Sequence, residues 1–99
     1  MNKTSSDFLS TESDQWRDSP ILLALWYDGH DDWKSAHDQV DQLPGKSAAR
    51  IHAYLHRKEG DQWNADYWYR RAGEERSKLT LEAEWEELVE RFIAGHPQE

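Results

Sequence analysis

The 99-residue chain predicts an all-α fold, with two stacked antiparallel helical hairpins closed by a C-terminal capping helix. Three observations carry that expectation. Apolar residues recur at three- and four-residue spacing between turns, no run alternates with the period of a strand, and two segments about thirty residues apart carry the same helix-turn-helix pattern.

Each element has its own punctuation. Ser19 before Pro20 reads as an N-cap with proline at the first helical position, and ILLALWYD continues until Gly29 and His30 interrupt it. Asp31 or Asp32 caps a second helix, in which Trp33, Ala36, Val40 and Leu43 recur on one side until Pro44 and Gly45. Ser47 is positioned to cap a third helix through AARIHAYLHRKE, and Gly60 stops it. Asp61 caps a fourth, with Ala65, Trp68, Tyr69 and Ala72 at i, i+3, i+4 and i+7, and Gly73 provides a left-handed stop. Thr80 precedes a fifth. There Leu81, Trp85, Leu88 and Phe92 form a stripe beside Glu82, Glu84, Glu86, Glu87 and Glu90, and Gly95 and Pro97 end the helix. Residues 1–18 are polar and rich in Ser, Thr and Asp, the composition of a flexible N-terminal tail, although Phe8, Leu9 and Trp16 could dock a short helical turn. The single domain then spans residues 19–99.

Composition bounds the chemistry. With 36% hydrophobic residues and six Trp, the chain can bury one small core. There is no cysteine, which removes disulfides, thiolate catalysis and Cys-based metal sites. The first residues lack the apolar core of a signal peptide and no apolar run is long enough to span a bilayer, so a cytoplasmic protein is expected. The net charge is −8, and the only basic stretch is residues 46–71, with six Lys and Arg against three Asp and Glu. Such a balance argues against sequence-wide nucleic-acid binding and suits a small or acidic ligand, or the molecule's own acidic helix, and neither a nucleic-acid nor a membrane partner is expected.

The repeat is visible when LLALWYDGHDDWKSA, residues 22–36, is set above IHAYLHRKEGDQWNA, residues 51–65. Ala24 meets Ala53, Asp32 meets Asp61, and Ala36 meets Ala65. Small residues at these points allow paired helices to approach closely. In the second copy, GDQWNADYWYRRA places Gly60, Ala65, Tyr69 and Ala72 as the turn and second helix of a tetratricopeptide repeat would, and the chain resembles that family there. HAYLHRKEGD followed by NADYWYRRAG also resembles small uncharacterised bacterial proteins, a likeness that implies no function.

The tetratricopeptide resemblance implies a concave face, made by the first helix of each hairpin, that holds an extended peptide. On this chain that face carries Arg50, Tyr54, Arg57 and Lys58 from the third helix, with Ile21 and Leu25 from the first. The expected function is therefore a protein- or peptide-binding adaptor or subunit that grips an acidic or C-terminal carboxylate segment. The competing expectation is intramolecular: the Glu-rich last helix docks on the exposed side of the fourth and pairs with Arg70 and Arg71.

Other constellations are weaker. His52 and His56 stand at i, i+4 with Glu59 at i+7, half of a metal or small-molecule site, and this is the alternative functional reading. His30 and His37 lie near Asp31 and Asp32 but are unevenly spaced, and the aspartates read as caps. PGKS at residues 44–47 lacks the earlier glycine and leading strand of a phosphate loop, and NKT at residues 2–4 is a glycosylation acceptor in form only. No Ser, His and Asp arrangement supports a triad, so neither an enzyme nor a resident cofactor or metal is expected. Trp33, Trp68, Tyr69 and Trp85 fall on apolar stripes and read as core. Tyr27, Tyr54, Trp63 and Tyr67 do not, and an amphipathic ring at a surface is a common binding anchor. Self-association through an apolar face is compatible with all of this.

Overall fold

The computed structural model describes residues 1–96, and among them every regular element is helical. Pro97, expected to close the last helix, lies outside the described residues. The elements are α1 (Lys3–Leu9), a 3-10 turn (Ser13–Trp16), α2 (Pro20–Gly29), α3 (Trp33–Val40), α4 (Lys46–Lys58), α5 (Gln62–Ala72) and α6 (Leu81–Ala94).

Four of the expected caps form. Ser19 Oγ accepts from the Leu22 amide at 3.3 Å, Asp32 from Ser35 at 3.1 Å, Asp61 from Asn64 at 3.2 Å and Thr80 from Ala83 at 3.1 Å. The third helix departs from expectation: Ser47 lies inside α4, which begins one residue earlier after Gly45 at φ 101°. Glycine can take that positive φ without strain, so the backbone turns sharply from Pro44 into the helix with no side-chain cap.

Two hairpins, α2 with α3 and α4 with α5, lie side by side. Their turns match residue for residue. The Asp32 amide donates to the Tyr27 carbonyl and the Asp61 amide to the His56 carbonyl, both at 2.9 Å. The residues just before, Asp31 at φ 63° and Gly60 at φ 91°, share the left-handed conformation. Ala24, Ala53, Ala36 and Ala65 are all fully buried, so the small side chains do set the close approach within each hairpin.

Two expectations are corrected. Residues 1–18 are part of the globule: Phe8 and Trp16 are buried, with ring centroids 5.2 Å apart, and the Trp26 indole N–H donates to the Thr11 carbonyl at 3.0 Å. A short Ser-rich helix has little stability of its own, so burial of those two rings holds it. The last helix does not dock on the outer side of α5. Instead α6 lies across α1, α2 and α4, burying Trp85, Leu88 and Val89, and its Trp85 indole donates to the Leu25 carbonyl at 3.0 Å.

Gly29 marks where these elements meet. A β-carbon there would fall 2.5 Å from Leu9 Cδ2 and 2.6 Å from the Trp85 ring. Gly29→Ala is therefore expected to destabilise the protein by about 1–3 kcal/mol, read as a lower urea midpoint, because the Trp85 ring has no room to retreat.

Candidate functional site

The face expected to hold a peptide is already occupied. Arg50 is 3% exposed, Tyr54 2% and Leu25 1%, so no partner reaches them; Ile21 is half-buried. The occupant is Glu84 of α6, itself fully buried. Arg50 Nη2 donates to Glu84 Oε2 at 2.7 Å, Arg57 Nη1 to Oε1 at 2.6 Å, and the Tyr69 hydroxyl to Oε2 at 2.5 Å. Arg57 also donates to the Leu79 carbonyl at 2.7 Å. Arg50 Nε reaches Glu74 at 3.1 Å, and Arg91 holds the other Glu74 oxygen at 2.9 Å. Burial, with the Glu84 hydrogen bond and charge beside it, pushes the Tyr69 hydroxyl up to about 12. The arginines of this face are thus engaged by carboxylates of the chain itself.

Tyr54 and Lys58 converge on a second buried carboxylate. The Tyr54 hydroxyl donates to Asp28 Oδ2 at 2.8 Å and the Lys58 ammonium to Oδ1 at 2.9 Å. Burial and the Asp28 charge raise the Tyr54 hydroxyl far above its ordinary range, so it stays a protonated donor. Asp28 ties α2 to α4 through these two bonds.

The histidines regroup. His30 lies apart from His37, its ring tilted against Trp26 with centroids 4.0 Å apart and its Nε2 3.1 Å from the Leu9 carbonyl. His37 of α3 instead joins His52 and His56 of α4, with ring centroids 5.1 Å and 5.4 Å away. Trp33 stacks on His37 at 4.9 Å, and Trp68 on His52 at 4.1 Å. His52 is 2% exposed, and burial lowers its pKa below 6.5 against the opposing hydrogen bond to Val40. Glu59, expected as a third ligand, bonds His56 Nδ1 at 2.7 Å.

A further surface lies on α5, which packs on α4 alone apart from the Tyr69 bond to Glu84. Trp63 is 77% exposed, and Tyr67 and Arg71 follow it at one-turn intervals, exposed as well. The Arg71 guanidinium sits 5.8 Å from the Tyr67 ring and 5.7 Å from the Trp68 ring. Of the chain's twelve Lys and Arg, eight have a carboxylate partner among the described residues. The four without one are Lys46, Arg70, Arg71 and Lys78. Arg70 and Arg71 belong to α5, Lys46 Nζ approaches its C-terminal Gly73, and Lys78 borders the depression that Arg70 lines. The expected pairing of Arg70 and Arg71 with the last helix is thus absent among the described residues, because α6 lies elsewhere.

No helix of the described residues is long and apolar enough to cross a membrane. No protein-family model, curated protein or solved structure matches the chain, and the tetratricopeptide resemblance has no support from them.

Proposed function

We propose that the chain is a protein-binding adaptor or subunit that holds an acidic partner segment on the outer face of α5. The reading keeps the basic, aromatic helix face expected from the sequence and moves it one helix outward. The observation that carries it is the stripe Trp63, Tyr67 and Arg71, exposed on the side of α5 away from α4. A single exposed ring is ordinary on a protein surface. Here the rings and arginine stand one helical turn apart, and Trp, Tyr and Arg are the side chains most often found at the energetic centre of an interface. The four cations without a carboxylate partner among the described residues gather around the same helix, and an acidic segment would complete them at that surface. Its net charge of −8 makes the rest of the molecule repel such a segment, which favours one docking position over many.

The test is site-specific photocrosslinking in cells, with a photoreactive phenylalanine at position 67 and, as a control, at the exposed position 38 of α3. One dominant crosslinked protein is expected from position 67 and is expected to vanish in Arg70→Glu/Arg71→Glu, with the thermal midpoint unchanged. Equal crosslinking from both positions, or crosslinks indifferent to the charge reversal, would remove the proposal.

A further inference from the structure

The three histidines at the junction of the hairpins carry a separate consequence. The geometry points to a binding site for one late first-row divalent metal ion, of the zinc class, held by His37, His52 and His56.

One ring nitrogen of each residue lies within 4.8 Å of the others. Centroid separations of 5.1, 5.4 and 5.8 Å match what one ion demands, because imidazoles bound tetrahedrally at about 2.0–2.1 Å hold their ring centres roughly 5 Å apart. Helical spacing brings His52 and His56 to one side of α4, and the α3–α4 connection brings His37 opposite them.

A ring nitrogen of each residue also lies toward oxygen. His52 Nε2 lies 3.0 Å from the Val40 carbonyl, His56 Nδ1 lies 2.7 Å from Glu59, and His37 Nε2 lies 4.0 Å from Asp41. A carbonyl only accepts, so His52 must carry its proton on Nε2, which leaves the lone pair on Nδ1. That atom is buried and has no hydrogen-bond partner. An orphan acceptor of this type costs about 1–3 kcal/mol in a folded interior, and a metal ion would supply its missing partner. Hydrogen bonds from a ring nitrogen to a carbonyl or carboxylate, which His52 and His56 make here, are also what fixes the tautomer and orientation of metal-bound histidines.

Three neutral imidazoles without thiolate or oxygen ligands suit zinc, nickel or copper and not magnesium or calcium. With three protein ligands, a tetrahedral ion keeps a fourth position for water or an external ligand. Trp33 and Trp68 stack on His37 and His52, which limits the rotation that would spread the donors apart.

Calorimetric titration of chelator-stripped, tag-free protein with zinc chloride tests this. One equivalent is expected to bind, and His37→Gln, at a half-buried position that leaves the orphan nitrogen of His52 in place, is expected to weaken binding at least tenfold with the helical circular dichroism unchanged. Glu59→Gln is expected to weaken it about tenfold or more, as loss of an outer-shell partner does. Cobalt replacing zinc should show the intense visible bands of a tetrahedral ion. Absence of stoichiometric zinc uptake, zinc affinity unchanged in His37→Gln, or the weak cobalt bands of an octahedral ion would each overturn the assignment.

Discussion

Glu84→Ala is expected to lower stability by about 3–5 kcal/mol, because it strands Arg50 and Arg57 beside one another with no shared carboxylate. A chain of this size has roughly 5–15 kcal/mol in total, so the variant should unfold at far lower denaturant or in part at room temperature. The pair need not be a net source of stability to have this effect. Replacing Arg50, Arg57 and Glu84 together by Met or Leu, with Tyr69→Phe so that no buried hydroxyl loses its acceptor, is expected to be neutral or to add about 1–4 kcal/mol, since the desolvated charges leave the interior at once. Urea denaturation of the single and combined variants reads the contrast. Charge reversal at Arg50 belongs with the damaging changes: Arg50→Glu would set a carboxylate against Glu84 in a fully buried site. The sequence alone places Arg50 on an accessible binding face, where such a change would spare the fold, and burial reverses that expectation.

Phe8→Ala should cost about 3–5 kcal/mol, the loss typical of truncating a buried aromatic ring. Phe8 packs 5.2 Å from Trp16 and 6.2 Å from Trp85, so its removal opens a cavity between α1 and α6. Deleting residues 1–18 should cost more, because Thr11 also accepts the Trp16 indole hydrogen at 2.7 Å and supplies the carbonyl bonded by Trp26. Differential scanning calorimetry distinguishes an integral segment from a tail: the former lowers the melting temperature by many degrees, the latter leaves it in place.

The helices from residue 20 onward were legible because their signals are local. Ser19, Asp32, Asp61 and Thr80 each cap the helix they announce, and Gly73 takes the left-handed conformation that ends α5. The first helix was legible only as the alternative to a tail, since its order comes from Phe8 and Trp16 meeting Trp85 and His96 far along the chain. Periodicity shows that α6 buries one side but not what it buries it against. Glu84 stands in a row of five glutamates, and nothing local separates the one that enters the core from those that stay wet. The histidine cluster was half legible. His52 and His56 share a helix and a four-residue spacing, whereas His37 arrives from the neighbouring helix by hairpin packing. The exposure of Trp63 and Tyr67 had the same status: their positions lie off the apolar stripe, but only the bare outer side of α5 makes them a continuous surface.

The placement of α6 in the groove between α2 and α4 decides which residues are available for binding, so it is the point to measure. Nuclear Overhauser contacts from the Trp85 indole provide the direct reading. Cross-peaks to Leu25 and Gly29 of α2 and to Leu9 are expected, consistent with the 3.0 Å bond to the Leu25 carbonyl. Cross-peaks from Trp85 to Trp63 or Tyr67, with none to α2, would place the last helix on the outer side of α5 and contradict the account.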